Sequence, residues 1–247
     1  MFNLNTGLLQ YWFEGVAFDL DYPPYVLIPA ILAVCAVGYL FGSINTAIIV
    51  SKTIFREDVR TKGSGNAGLT NMLRNYGAKG AVLTLVGDIL KTALAIGFAG
   101  LVFGFQYVRG ISVSNFCYIA GLFAVMGHIF PVYYGFKGGK GVLATSTLAL
   151  ILTPIPFLIL LLIFIGIVAV SKYVSLGSVS VAVLYPIILQ GTFSLMFKSS
   201  MPPFTALTSI VLAILIVWCH RANLQRISNK TENKLSFKKK SKDRDDG

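Results

Sequence analysis

Seven apolar runs, each bounded by Gly, Pro or charge, recur along the 247-residue chain near 26–50, 80–105, 113–130, 142–153, 155–170, 176–191 and 204–219. Runs of about 20 apolar residues match the hydrocarbon thickness of a bilayer rather than a water-soluble core. The sparse charge agrees with this. Only 13% of residues are charged, against about 25% in soluble domains. The expected fold is all-α, a polytopic membrane protein with seven transmembrane helices, some of them short. A water-soluble enzyme and a disordered chain are both excluded. The fourth run is the weakest, because Thr153-Pro154-Ile155-Pro156 breaks it from the fifth. It reads either as a crossing or as a half-helix.

The positive charges orient the chain. Lys and Arg outnumber Asp and Glu by 21 to 10. With seven crossings, eighteen of the 21 fall on the side of the 51–79 loop and the tail, and Arg109 and Lys198 fall on the other. Lys91 lies within the second run. The N-terminus is therefore expected outside and the C-terminus in the cytoplasm. Residues 1–25 form an extracytoplasmic head without Lys or Arg that carries Glu14, Asp19 and Asp21. A secretory signal would need a positive start. Residues 26–232 form the membrane domain and 233–247 a basic tail that attracts anionic membrane lipid. On such a chain the net charge of +11 points to membrane rather than nucleic acid. Cys35, Cys117 and Cys219 lie in apolar stretches without metal-ligand spacing and read as packing residues.

Three polar clusters lie on the expected cytoplasmic side. The first runs from Asp58 to Asn71 and closes on Arg74. Gly63, Gly65 and Gly68 let backbone amides approach an anion. Ser64, Asn66, Thr70 and Asn71 add neutral donors, and Arg60, Lys62 and Arg74 add charge. The second holds Gly127-His128-Ile129-Phe130-Pro131 and Phe136-Lys137-Gly138-Gly139-Lys140-Gly141-Val142. It lacks the spacing and the terminal Ser/Thr of a nucleotide-binding loop, but two lysines in a glycine-rich turn suit a phosphate. The third is His220-Arg221-Ala222-Asn223-Leu224-Gln225-Arg226, in which His220 and Asn223 share a helix face. Asp88 and Lys91, also three apart, form an expected buried ion pair that is either functional or structural.

In order and spacing these clusters resemble those of the bacterial acyl-phosphate:glycerol-3-phosphate acyltransferase family. Gly42-Ser43-Ile44-Asn45 and the run from Asp58 to Arg74 resemble its first signature. Gly127 to Thr145 resembles the second, with Leu143 inserted. His220, Arg221, Asn223, Leu224, Arg226 and Glu232 resemble the third, and Lys172 to Ser178 resembles the segment before the sixth helix. Asn45 stands where the family usually has Pro, which would let the first helix end straighter, and Leu69 stands where it usually has Ala.

The resemblance implies a seven-helix cell-membrane enzyme with its active site on the cytoplasmic side. It would move a fatty acyl group from acyl phosphate to the 1-hydroxyl of glycerol 3-phosphate, giving lysophosphatidic acid and inorganic phosphate. No cofactor or metal is implied, and the enzyme that supplies acyl phosphate is an implied partner. The catalytic residues implied are Ser43, Arg60, Lys140, His220 and Asn223. Those implied for substrate binding are Lys137, Gly63, Ser64, Gly65, Asn66, Asn71, Arg74, Gly138, Gly139 and Ser178, with Ser175 beside them. His128 is expected to orient a loop. The His-x4-Asp dyad of other glycerolipid acyltransferases is absent, since Tyr133 and Gln225 stand at the Asp positions. The donor is an activated mixed anhydride, so the resemblance points to its phosphate as the proton acceptor, without a covalent intermediate. The rival reading is a small transporter of a phosphate-containing anion, which would need polar, broken helices near mid-membrane.

Overall fold

The structure, a computed structural model, describes residues 7–12, 23–105, 107–108, 111–112, 114–198 and 200–235. The acidic residues of the head and the lysines beyond Leu235 lie outside them. The fold is all-α. A short α1 (Gly7–Trp12) precedes α2 (Pro24–Ser43), α3 (Thr46–Ile54), α4 (Leu69–Phe103), α5 (Asn115–Ile129), α6 (Val142–Leu152), α7 (Pro154–Ser171), α8 (Val174–Phe197), α9 (Pro203–Cys219) and α10 (Arg221–Ser228). A two-residue antiparallel pair, Tyr107–Val108 with Ile111–Ser112, joins α4 to α5.

All seven apolar runs are helical, but their lengths differ. The stretches Pro24–Ile54, Leu69–Phe103, Asn115–Tyr134, Pro154–Ser171 and Val174–Met196 are long and apolar enough to cross a membrane. Helix α9, with 17 residues, is at the lower limit of a crossing, and α10 turns away from it by 53°. Helix α6 has only 11 residues, about 16 Å, roughly half of a 30 Å hydrocarbon layer. The lipid-facing character of α7 is plain from its exposed Leu158, Leu162, Ile165 and Val170.

Two helix boundaries differ from the sequence reading. The first helix breaks at Ile44–Asn45 rather than straightening. Asn45 takes an extended conformation, and its side chain accepts a hydrogen bond from Ile48 N at 3.1 Å, which starts α3. Asparagine thus ends one helix and caps the next. The fourth helix begins within the expected loop, at Leu69, and is interrupted at Gly77, whose φ of 69° only glycine adopts freely.

Close backbone approach sets the packing. A Cβ on Gly42 would lie 2.1 Å from Ala124 O, and one on Gly127 would lie 2.2 Å from Tyr39 O. Helices α2 and α5 therefore cross at a seam of small residues, as membrane helices do where lipid supplies no hydrophobic drive. Behind this seam a continuous core joins Val34, Ile96, Phe103, Phe116, Leu148, Leu152, Tyr185 and Leu189. A second cluster, Ile48, Val59, Ala67 and Met72, with Phe55, Tyr76 and Tyr134 against it, holds the first polar loop on α3 and α4. Gly42→Ala is expected to force α2 from α5 at a cost of about 1–3 kcal/mol. Gly166→Ala, which meets nothing within 4 Å, is expected to be neutral. Thermal unfolding of both variants in detergent measures the contrast.

Candidate active site

The polar clusters gather at one end of the helices, where several segments of the chain turn. The first loop is built on Asn71, which is buried. Its amide donates to Val59 O at 3.1 Å, Lys62 O at 3.0 Å and Asn66 O at 3.0 Å, and its oxygen accepts from Ser64 N at 3.1 Å. Gly63 and Gly65 take left-handed φ values of 56° and 71° to wrap around it. The Gly65 and Gly68 amides are bonded to Lys62 O and Asn66 O. The glycines thus shape a loop folded on its own asparagine. Asn71 positions Ser64 and Asn66 rather than offering its own donors.

The second cluster folds back on the end of α5. Gly138 N donates to Ile129 O at 3.2 Å and Gly139 N to His128 O at 3.0 Å, taking up carbonyls that the helix end leaves unpaired. A Cβ on Gly138 would lie 2.1 Å from His128 O, and one on Gly139 would lie 2.0 Å from His128 Nε2. Both glycines therefore permit contact, and their amides are committed to the fold. His128 is the surface this loop lies on. On its other side, Lys91 Nζ donates to His128 Nδ1 at 3.0 Å and to Ile44 O at 2.9 Å, the carbonyl freed by the α2–α3 break. An ammonium only donates, so the ring proton sits on Nε2. Lys91 Nζ also lies 2.8 Å from Asp88 Oδ1, as a charge contact. Among the described residues the Asp88 oxygens have no hydrogen-bond partner.

Between these clusters opens a cavity of about 610 Å³. Its mouth is lined by Gly68 to Asn71, by Gly141 to Leu143, and by Val174 and Ser175. These are the first residues of α4, α6 and α8, and helix N-termini carry unpaired N–H groups and partial positive charge. Ser64, Asn66, Arg74, Lys140, His220, Asn223, Arg226 and Ser178 also line the cavity, so the first, second and third clusters meet there. Farther in, the walls turn apolar: Leu85, Leu150, Phe157, Leu160, Phe164, Val181 and Tyr185. One space thus joins a cationic mouth to an aliphatic interior.

The charges at the mouth are tuned by burial. Burial pulls the Lys140 ammonium down to about 8, Arg226 and Arg74 repel it further, and Glu232 partly offsets both. Lys140 Nζ donates to Asn223 Oδ1. His220, between α9 and α10, is lowered to about 4, chiefly by burial. Its Nδ1 donates to Ile216 O at 2.7 Å, so the neutral ring carries its lone pair on Nε2. His220 therefore adds an acceptor, not a charge. Glu232 ties the mouth together, with Oε1 accepting from Ser175 Oγ at 2.8 Å and Asn223 Nδ2 at 2.7 Å, and Oε2 from Arg226 Nε at 2.7 Å. Burial alone would raise that carboxyl, but these donors together hold it below its ordinary value. Beyond Glu232 the chain crosses the opening, where Arg74 bonds to Asn233 O and Leu235 N to Lys172 O.

Other expected residues lie away from the cavity lining. Ser43 is buried at the α2–α5 crossing and accepts from Val132 N at 3.4 Å. Arg60 grips Asp58 through Nη2 at 2.8 Å and Nε at 3.0 Å, and its Nη1 donates to Tyr134 O at 3.0 Å. That guanidinium holds the Asp58 carboxyl well below the usual carboxylate range. Arg60 thus joins the first loop to the 132–134 turn, while Lys137, Gly63, Gly65, Gly138 and Gly139 are absent from the lining. Sequence reasoning left out Arg226, Glu232 and Thr145 as site residues. Arg226 could have been found from its spacing of three from Asn223. Thr145, whose Oγ1 is buried in the wall without a hydrogen-bond partner among the described residues, ends the second signature and could have been found from it.

Residues 32–230 match the glycerol-3-phosphate acyltransferase family model. The chain is 39% identical to the glycerol-3-phosphate acyltransferase of Mycoplasmopsis agalactiae, covering 84% of this chain and 95% of that protein. It is also 39% identical to that of Clostridioides difficile, covering 84% and 97%. Among solved structures it is similar to PlsY (YgiH), an integral membrane glycerol 3-phosphate acyltransferase. In the glycerol 3-phosphate form the TM-score is 0.72 at 32% identity, covering 83% of this chain and 96% of that one. In the lysophosphatidic acid form the TM-score is 0.70 at 30% identity. Matched over most of its length by the family model and by full-length relatives, the chain belongs to the glycerol-3-phosphate acyltransferase family.

Proposed function

We propose that this protein transfers a fatty acyl group from acyl phosphate to the 1-hydroxyl of glycerol 3-phosphate. The observation that carries this reading is the single cavity whose cationic mouth continues into an apolar interior. Phosphate suits the mouth and an acyl chain suits the interior. The glycerol 3-phosphate and lysophosphatidic acid forms of the PlsY neighbours support this acceptor and product. An acyl phosphate fits a mouth where Lys140, Arg74, Arg226 and three helix N-termini converge. By the resemblance, Ser43, Arg60 and Lys137 serve the phosphates too, Arg60 through the two turns it joins.

In this account the 1-hydroxyl oxygen attacks the acyl carbon, the carbon–oxygen bond to phosphate breaks, and the hydroxyl proton passes to the departing phosphate. Lysophosphatidic acid and inorganic phosphate leave, so atoms and charge balance without a covalent enzyme intermediate. Alignment and neutralisation of two phosphates are the protein's tasks. His220 Nε2 accepts the hydroxyl's hydrogen bond and orients it. With its pKa near 4, the imidazole is too weak a base to keep that proton at neutral pH. A phosphate with a second ionisation near 6 holds it better.

The seven apolar runs and the distribution of Lys and Arg support seven segments with the C-terminus and the site on the cytoplasmic face of a bacterial membrane. The basic tail would lie on anionic lipid there, near the enzyme that supplies acyl phosphate. A transporter reading is the weaker one, because the deep end of the cavity is lined by aliphatic and aromatic side chains rather than by polar groups.

Release of phosphate from palmitoyl phosphate, dependent on glycerol 3-phosphate, tests the reaction. No release by folded protein would overturn it. Lys140→Ala, His220→Ala and Arg60→Ala are each expected to lower this rate at least tenfold, about 1.4 kcal/mol, in protein that still inserts. Wild-type rates in these variants would contradict the site. Lys140 acts as a cation, so kcat/KM should fall as pH rises through about 8. In Lys140→Arg that alkaline limb should move to higher pH, as a pH–rate profile would show.

A further inference from the structure

The walls of the cavity end at a single level. On α8 they run from Val174 to Tyr185, and on α7 from Val168 to Phe157, where the two helices run antiparallel. The next inward residues on α8 and α6, Leu189 and Leu152, are fully buried in the continuous core and do not line the space. From Ser175 to Tyr185 is ten residues of helix, about 15 Å.

Tyr185 is the group at that floor. It is buried, with 3% of its surface exposed, and its hydroxyl lies 3.3 Å from Thr153 Oγ1. Thr153 sits between α6 and α7, and its own hydroxyl donates to Ala149 O at 3.0 Å. Its hydrogen being committed, Tyr185 is the donor of that bond. The phenol of α8 is therefore drawn across to the α6–α7 joint and fixed there. A rigid aromatic ring pinned where the aliphatic lining gives way to the packed core acts as a stop.

We propose that Tyr185 sets the length of acyl chain that this site accepts. The inference rests on the reading of the cavity as the acyl site given above. A chain whose end fits above the ring buries all of its methylenes. A longer one must bend out between helices or displace the ring. Such discrimination is steep, because one methylene in an apolar pocket changes kcat/KM by about tenfold or more.

The test compares kcat/KM for a series of saturated acyl phosphates, with glycerol 3-phosphate as acceptor, for wild type, Tyr185→Leu and Tyr185→Trp in detergent. Tyr185→Leu, which deepens the space, should raise the ratio of the longest to the shortest donor by about tenfold. Tyr185→Trp, which fills it, should lower that ratio. The second variant retains an aromatic core residue, so a folding defect in the first does not remove the test. Equal ratios in active wild type and variants would overturn the role of Tyr185 alone, as when the chain leaves sideways into lipid. A wild type inactive with every acyl phosphate would overturn the reading of the site and the proposal with it.

Discussion

An apolar phase gives helix ends nothing to bond with, and the rest of this structure follows from that constraint. Each helix start leaves N–H groups without partners, and hydrocarbon cannot supply them. The fold collects the starts of α4, α6 and α8 at one level, where loops, water and ligand can reach them. That collection gives the proposed anion site partial positive charge before any side chain is added. Arg74, Lys140 and Arg226 then add charge to a field already pointing the right way.

Breaks within the membrane domain answer the same constraint with side chains. At the α2–α3 break Asn45 caps the new helix, and Lys91 takes Ile44 O. Lys91 in turn holds His128, and the His128 ring supports the Gly138–Gly139 turn that leads to Lys140. A buried cation is costly without partners, and here it has a carboxylate, a carbonyl and an imidazole. The Asp88–Lys91 pair foreseen in the sequence therefore supports the site through His128, and Asp88 itself lines the cavity.

Much of this was legible in the residues, though with some roles exchanged. The seven apolar runs all fall on helices, because period and length are local properties, while hydropathy missed α1, the α2–α3 break and α10. It bounded α6 at 142–153, close to the observed Val142–Leu152, but left open whether that short segment crosses, since Thr153-Pro154 marks a break without saying how deep it lies. The glycine-rich runs were found as motifs and read as phosphate cradles. In the structure Gly138 and Gly139 close the end of α5, and Asn71 binds its own loop. A glycine permits close approach, and the sequence does not say to what. Lys140, His220 and Asn223 did converge, because charge and hydrogen-bonding groups in a membrane chain have few other reasons to cluster. Thr145 closed a motif without being read as a site residue, and Tyr185 had no local signal at all. Their meaning comes from a space lined by helices distant in sequence.

The central claim is that phosphate and acyl chain occupy one continuous cavity. Photo-crosslinking with a lysophosphatidic acid that carries a diazirine in mid-chain, mapped by mass spectrometry, tests it most directly. The account predicts adducts on the inward residues of α7 and α8, such as Phe157, Phe164 and Val181, that line the cavity. Adducts confined to the lipid-facing Leu158, Leu162 and Val170 would contradict it.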